Sequence, residues 1–495
     1  MRAVRAGLEI IEALHVQVPS SLVGEEQSEG VGGARRAVPL SLGIPATLHD
    51  ALMARLDRLA PVRMLSEIYS WFTEGFDTKD LQEAETSVDE SAGEFGKCHQ
   101  FGKGLLMQKT PFTIAVPEST LTDLRERLAR VRWPNDFAND NWQYGANAAY
   151  LKELVAYWRD GYDWRKHEQA MNAFSHYKVT IEGVPIHFIH EPGKGPKPIP
   201  LILTHGWPWT FWDFHKVIRP LADPAAFGGN PADAFDVVVP SLPGYGFSSP
   251  LTTPGINFWR TADLWATLMH EVLGYKKFAA QGGDWGALVT SQLGHKYPQS
   301  LIGMHLNLAV PLDFLSRMAA PAESEYAPDE KQWYARVQEA APTIRSHVAV
   351  QTSDPQTLAY GMHDSPVALC AWITERRRNW SDCGGDVEKR FSKDDLLTTM
   401  MIYWVTESFV TSVRYYYEAR HRPWTPAHNR RPVVEAPTGI AIFPKELLIM
   451  PRKWAEQYYN LKRWTVMTAG GHFAPMEEPE QLVRDVRAFF RPLRT

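Results

Sequence analysis

A carboxylate stands between glycines at the point where an apolar run gives way to a helical stretch. The run 278–281 is followed by Gly282-Gly-Asp-Trp-Gly286 and then by residues with helical spacing. Glycines two positions either side of Asp284 suit a sharp strand-to-helix turn, because side chains there would collide. The N-terminus of a helix also stabilises negative charge. Asp284 is therefore a candidate nucleophile; the alternative is a glycine-rich turn in which Asp284 only caps the helix.

A second motif supplies hydrogen-bond donors for such a nucleophile. The apolar run 201–204 leads into His205-Gly-Trp-Pro208. In α/β hydrolases a loop of this type aims a backbone N–H at the active site, beside a nucleophile elbow in which Ser usually stands where this chain has Asp. We expect the amides of Trp207 and Trp285 to form an oxyanion hole. We expect His205 to hold the loop by hydrogen bonds rather than to react.

Two further candidates follow late apolar runs. Glu446 comes after the run 439–443, and His472 comes after the run 464–468. Taken alone, His472 is compatible with a buried structural histidine and Glu446 with a solvated surface acid. Together with Asp284 they complete the order nucleophile, acid, histidine that α/β hydrolases share. We therefore predict that Asp284 attacks, that His472 is a general base and that Glu446 orients it.

An aspartate nucleophile implies a different substrate from that of a serine nucleophile. A carboxylate with a reference pKa of ~3.9 is already ionised at neutral pH, so its attack needs no general base. Attack on an sp³ carbon gives an ester of the enzyme's own side chain, and the histidine is then free to activate water against that ester. The sequence thus favours an alkyl electrophile, an epoxide or a halide, over an ordinary ester.

The elements that must position these residues form a recognisable pattern. Short apolar runs ended by turn residues alternate with helical stretches, which is typical of a mainly parallel sheet in an α/β domain. The runs are 202–204, 235–239, 278–280, 439–443 and 464–468, and helices are expected at 120–131 and 151–158. Residues 311–430 interrupt this rhythm. They are helical in pattern and rich in Trp and Tyr, so we predict a helical lid inserted into the fold.

Residues 1–108 read differently from the rest. Leucines at 48, 52, 56 and 59 predict a short amphipathic helix over 47–60, and residues 74–94 carry eight acidic side chains against one basic one. No GxxxxGK[ST] motif occurs in the chain, so no nucleotide site is expected. We interpret residues 1–108 as a poorly packed extension of unknown function.

Composition excludes several classes of protein. Lys plus Arg (52) against Asp plus Glu (57) gives a net charge of -5, which argues against a nucleic-acid binder. No apolar run approaches the ~18 residues of a membrane span, and Glu9 and Glu12 interrupt what would be the core of a signal peptide. Three cysteines without a CxxC fit a reducing compartment and no Cys-based zinc site. We expect a soluble, cytoplasmic enzyme without metal or cofactor. The oligomeric state stays open, a homo-oligomer included.

From about Thr110 to Thr495 the chain resembles the microsomal-type epoxide hydrolases. The blocks that carry the resemblance include Tyr162-Asp-Trp-Arg-Lys166, Ile181-Glu-Gly-Val-Pro-Ile-His-Phe-Ile-His190, His205-Gly-Trp-Pro208, Gly282-Gly-Asp-Trp285, Phe443-Pro-Lys-Glu446 and Gly470-Gly-His-Phe-Ala474. The resemblance implies an N-terminal segment (109–180) that wraps an α/β-hydrolase core (181–310 and 431–495) and contacts the lid (311–430). It also implies an Asp284 nucleophile and a Glu446–His472 pair.

In that family two lid tyrosines usually hydrogen-bond the epoxide oxygen. One match falls on Tyr416; the other tyrosine's slot, four residues before Gln351-Thr-Ser-Asp-Pro355, holds His347. We therefore expect Tyr416 as proton donor and His347 as second donor, with Tyr334 or Tyr360 as alternatives. An imidazole with a pKa near ~6.5 loses its charge close to neutrality. Ester formation would then slow as the pH rises through the pKa of His347.

Three functions compete at this stage. The main prediction is an epoxide hydrolase that forms a vicinal diol from a small-molecule epoxide through a covalent ester. A haloalkane dehalogenase has the same fold and nucleophile, but it lacks lid phenols and often carries Asn where this chain has Trp207. A non-catalytic binding protein, with residues 1–108 as an interaction module, is the third. The presence of all four catalytic motifs weighs against it.

Overall fold

A nine-stranded sheet runs through the described part of the chain. The computed structural model describes residues 108–317 and 321–494, so the predicted helix at 47–60 and almost all of the predicted extension lie outside it. The strands are β1 (Thr110–Phe112), β2 (His176–Ile181), β3 (Val184–Glu191), β4 (Ile199–Thr204), β5 (Phe235–Pro240), β6 (Phe278–Gly282), β7 (Leu301–Leu306), β8 (Val434–Ile442) and β9 (Tyr459–Val466).

The sheet has the order β1-β2-β3-β5-β4-β6-β7-β8-β9. All neighbours from β5 to β9 pair in parallel, whereas β1, β2, β3 and β5 pair with one another antiparallel. Every residue of β6 is buried, as expected for a central parallel strand that helices cover on both faces. The predicted mainly parallel α/β fold is confirmed.

Helices flank the sheet and fill the segment between β7 and β8. They are α1 (Glu118–Ala129), α2 (Ala148–Asp160), α3 (Trp164–Met171), α4 (His215–Ala222), α5 (Phe258–Thr267), α6 (Trp285–Lys296), α7 (Phe314–Arg317), α8 (Lys331–Ser353), α9 (Pro355–Asp364), α10 (Pro366–Trp380), α11 (Lys393–Val405), α12 (Phe409–His421), α13 (Arg452–Tyr458), α14 (Ala474–Glu477) and α15 (Pro479–Phe490). In the described residues of 311–430 there are helices and no strand.

A buried ion pair ties these inserted helices to the sheet. Arg377 on α10 lies 2.7 Å from a carboxylate oxygen of Asp213, and both side chains are buried. The same guanidinium donates to the carbonyl of Pro208 at 3.1 Å. Because a buried charge is tolerated only when it is paired, this contact holds the helical insertion against the loop that follows β4.

The segment before β2 packs against the same insertion. Arg127 on α1 pairs with Asp364 at 2.7 Å, and the Tyr157 hydroxyl of α2 donates to Asp394 at 2.8 Å. Its first strand, β1, extends the antiparallel edge of the sheet. Within the described residues, no helix combines the length and the apolar character that crossing a bilayer would take.

Candidate active site

The turn between β6 and α6 has the geometry of a nucleophile elbow. Asp284 adopts φ 50° and ψ −127°, a conformation that side chains rarely adopt outside strained functional turns. A Cβ on Gly286 would lie 1.8 Å from the carbonyl oxygen of Thr204, and one on Gly282 would lie 2.2 Å from the carbonyl oxygen of Gly286. Close backbone approach therefore explains both glycines. The Asp284 side chain does not cap α6, so the alternative of a simple capped turn is wrong.

The loop after β4 meets Asp284 from the other side. The Trp207 N–H donates to Asp284 Oδ1 at 2.7 Å. His205 Nε2 accepts from the Leu242 N–H at 3.0 Å, which leaves Nδ1 to donate to the carbonyl of Gly206 at 3.0 Å. Burial lowers the pKa of His205 to about 4, so its ring stays neutral at physiological pH. His205 thus holds the loop, as its sequence context indicated.

The loops after β8 and β9 bring Glu446 and His472 together. His472 Nδ1 lies 2.7 Å from Glu446 Oε1, and His472 Nε2 lies 3.3 Å from Asp284 Oδ2. Both His472 and Glu446 are buried. The two loops are also joined directly, since the Lys445 N–H donates to the carbonyl of Gly470 at 3.0 Å. The structure therefore brings Asp284, His472 and Glu446 into contact, with His472 bonded through one ring nitrogen and facing Asp284 with the other.

This arrangement determines the charge of His472. Burial by itself lowers the pKa of His472, but the charge of Glu446, the hydrogen bond between Nδ1 and Glu446, and the nearby carboxylate of Asp284 outweigh it and raise the pKa to about 10. At neutral pH an imidazolium therefore lies between two carboxylates. Part of what stabilises it is the charge of Asp284, so neutralising Asp284 would lower the pKa of His472.

A largely apolar cavity opens above Asp284. His347 from α8 and Tyr416 from α12 line it together with Asp284, Trp285 and His472. Its apolar lining includes Leu308, Phe314, Leu315, Ile344, Val348 and Leu448. Both predicted ring-opening donors therefore share one cavity with the predicted nucleophile and base.

Tyr416 and His347 are packed against the rings of Trp207 and Trp285, the two residues whose amides are the predicted oxyanion donors. The Tyr416 ring lies 4.6 Å from that of Trp285 and 5.5 Å from that of His347, and His347 stacks on Trp207 at 5.2 Å. Burial raises the pKa of Tyr416 well above its ordinary value. The Tyr416 phenol therefore keeps its proton throughout the working pH range and stays a donor.

The protonation of His347 differs from the titration near neutrality that the sequence suggested. Burial, assisted by the nearby charge of Arg376, lowers the pKa of His347 to about 3. The titration expected near neutrality is therefore displaced, and the imidazole is neutral from about pH 5.5 to 9. Its Nδ1 lies 3.4 Å from the carbonyl of Thr343, a long contact. The tautomer that carries its proton on Nε2 therefore loses only this weak Nδ1 hydrogen bond to Thr343.

The alternative tyrosines lie elsewhere. Tyr360 is 71% exposed, and neither Tyr360 nor Tyr334 lines the cavity. Beside Tyr416, the hydroxyl of Tyr415 is bonded to a threonine of α5 at 2.8 Å, and Tyr417 is partly exposed. Of the candidates for the second donor, only His347 lines the cavity together with Tyr416.

Known proteins with related sequences share this architecture. Residues 109–214 match the family described as the epoxide hydrolase N terminus, and residues 199–479 match the alpha/beta hydrolase fold. A relative from Stigmatella aurantiaca, provisionally named an epoxide hydrolase, is 41% identical over 78% of this chain and 85% of its own length. Epoxide hydrolase 1 of Oryctolagus cuniculus is 37% identical over 77% of this chain and 88% of its own length.

The fold comparison agrees. The solved structure of Aspergillus niger epoxide hydrolase superimposes with a TM-score of 0.69 and 27% identity, covering 79% of this chain and 98% of the other. The chain belongs to the microsomal-type epoxide hydrolase family. The predicted family and enzyme class are thereby confirmed.

Some residues of the candidate site were not singled out in the sequence. The His472 ring contacts the rings of Trp209, at 5.6 Å, and Trp380, at 5.4 Å, both edge to face. The only sequence signal was a tryptophan content of 18, which does not say which rings meet the base. In the described residues no group of three or more His, Cys, Asp or Glu side chains has the arrangement of a metal site.

The raised pKa of His472 makes the stability of this protein depend on pH. Its contribution is fully present below the ordinary value of 6.5 and is lost as the pH rises through about 10. One proton gives a slope of at most about 1.4 kcal/mol per pH unit in the free energy of unfolding. Urea denaturation between about pH 7.5 and 9.5 should show this fall, and Asp284→Asn should weaken it. The exposed substitution Asp160→Asn should not, and equal slopes for Asp284→Asn and wild type would contradict the assignment.

Proposed function

We propose that this chain hydrolyses an epoxide to a vicinal diol through an ester formed on Asp284. The observation that carries the proposal is the placement of that carboxylate. One oxygen accepts the Trp207 N–H, the other lies beside the His472 imidazolium, and the side chain lines a cavity with two lid donors. The apolar lining of the cavity favours an epoxide with an apolar substituent.

The first step needs no base. A carboxylate oxygen of Asp284 forms a bond to an epoxide carbon while the carbon–oxygen bond of the ring breaks, and the electron pair passes to the ring oxygen. Tyr416 and His347, in its Nε2–H tautomer, donate hydrogen bonds to that oxygen as its charge develops. The neutral His347 is a weaker acid than an imidazolium, so Tyr416 carries the larger share of the stabilisation.

Formation of the ester turns His472 into a base. Esterification removes the charge of Asp284, and with it part of the attraction that holds the proton on His472. The pKa of His472 falls and the imidazolium releases its proton. In net terms that proton neutralises the alkoxide formed from the ring oxygen, so the ester state contains a hydroxyl group and a neutral imidazole.

The second step is hydrolysis of the ester. His472, oriented by Glu446, takes a proton from water as that water attacks the carbonyl carbon of the ester. The oxyanion forms on Asp284 Oδ1, where the Trp207 N–H already points and where the Trp285 amide is the predicted second donor. Collapse releases the diol and restores the carboxylate and the imidazolium.

We also propose that the roles divide along the predicted boundaries. The core, 181–310 and 431–495, supplies the nucleophile, base, acid and oxyanion donors. The lid, 311–430, supplies His347 and Tyr416. The segment 109–180 supports the lid, consistent with the contacts of Arg127 and Tyr157.

Replacement of the base should separate the two steps. Asp284 attacks without a base, whereas the ester requires the imidazole, so His472→Gln should accumulate a protein one substrate mass heavier after mixing with an aryl epoxide. Intact-protein mass spectrometry measures this directly. The double variant Asp284→Asn, His472→Gln is the matched control and should stay unmodified. Failure of His472→Gln to gain mass, where wild type produces diol, would contradict the assigned roles. Halide release from haloalkanes without any diol formation would favour a dehalogenase.

Removing either lid donor should slow ester formation, and for His347 the size of the effect should not depend on pH. Because His347 is neutral from about pH 5.5 to 9, His347→Ala should slow ester formation by a similar factor, about tenfold, at every pH in that range. Tyr416→Phe should slow it by about 10²-fold or more. Stopped-flow Trp fluorescence measures the step. An effect of His347→Ala confined to low pH would show that His347 titrates there, and no effect at any pH would remove His347 from the site.

A further inference from the structure

The loop that carries His472 is bound through every one of four consecutive backbone amides. The N–H of Gly471 and that of Phe473 donate to the two oxygens of Glu477, at 3.0 and 2.9 Å. The Gly470 N–H donates to the Asp382 carboxylate at 3.0 Å, and the His472 N–H donates to a lid carbonyl. Nothing in the ester chemistry described above uses Glu477 or Asp382.

Half of these acceptors come from the lid. The His472 N–H donates to the carbonyl of Trp380 at 2.9 Å. The Asp382 N–H in turn donates to Glu477 at 2.7 Å, so the Glu477 carboxylate accepts from both the base loop and the lid. A Cβ on Gly471 would lie 2.8 Å from the Trp380 carbonyl oxygen, which shows how closely the two segments approach.

Glu477 is a buried carboxylate just after the loop that carries His472. It ends the short helix α14, five residues after the base, and is only 7% exposed. Burial raises the pKa of Glu477 to about 7 even though amide donors oppose that shift. Only an ionised carboxylate accepts from all three of these amides, those of Gly471, Phe473 and Asp382, without presenting a donor of its own.

We propose that Glu477 is a positioning residue that fixes the His472 loop and joins it to the lid turn 380–382, so that ester hydrolysis depends on it more than ester formation. The inference rests on the proposed function. Ester formation uses Asp284 and the lid donors and does not need His472 as a base. Hydrolysis needs the imidazole within hydrogen-bond reach of water, and displacement of a catalytic group by about 1 Å costs up to about 10²-fold in rate.

The test measures both half-reactions separately in single turnovers with an aryl epoxide, by quenched-flow mass spectrometry of the ester. In Glu477→Gln, either orientation of the amide places an N–H₂ group against at least one backbone N–H. We expect hydrolysis to slow by about 10- to 100-fold and ester formation to change by less than about threefold. Glu480→Gln is the control, since the Glu480 side chain is exposed and accepts none of the four amides. Both steps should stay within about twofold of wild type there.

A second variant covers the case in which Glu477→Gln does not fold. Asp382→Ala removes the acceptor of the Gly470 N–H at a partly exposed site, and it should slow hydrolysis selectively as well. Equal slowing of both half-reactions, or no change in hydrolysis in either variant, would overturn the positioning role. If wild type itself forms no ester, the proposed function fails, and that outcome is distinct from a wild-type ester whose hydrolysis the variants leave unchanged.

Discussion

A buried imidazolium between two carboxylates is the interaction on which the rest of this structure depends. His472 lies 2.7 Å from Glu446 and 3.3 Å from Asp284, with almost no contact with solvent. A buried charge is costly unless its partners are close, so the three loops that carry these residues must end at one edge of the sheet. Parallel strands provide such an edge, because the carboxyl ends of β6, β8 and β9 all point the same way.

The helical insertion contacts both loops that carry the site residues. Arg377 joins it to Asp213 and to the carbonyl of Pro208, the residue after the oxyanion amide. The guanidinium also lies 4.1 Å from the ring of Phe473, the residue after the base. One buried side chain of the lid therefore contacts both catalytic loops. The lid shapes the nucleophile's surroundings as well as covering the cavity.

The sequence predicted which residues meet at the candidate site better than it predicted the sheet. Asp284, Glu446 and His472 stand out because polar residues at the ends of apolar runs, flanked by glycines, have few structural explanations. The strand β7 and the antiparallel strands β1 to β3 were not predicted. β1, β3 and β7 pair with segments that are distant in the chain, which a local apolar pattern does not reveal. β2 and β3 pair with each other as a hairpin across Glu182-Gly183.

Protonation was the other feature that sequence could not predict. The pKa of His347 depends on complete burial and on Arg376, a residue 29 positions away in the chain. The contacts of Glu477 and Trp380 with the base loop likewise join segments of the lid and the core that no local pattern connects. Such properties arise only when the fold assembles them.

The central claim is that the oxygen added to the substrate comes first from Asp284. A single turnover in ¹⁸O-water, with enzyme in excess over epoxide, tests it most directly. We predict an unlabelled first diol and ¹⁸O in the peptide that contains Asp284, because water attacks the ester carbonyl and the diol keeps the carboxylate oxygen. Label found entirely in the first diol, with none in Asp284, would mean that water attacks the epoxide itself and would contradict the covalent account.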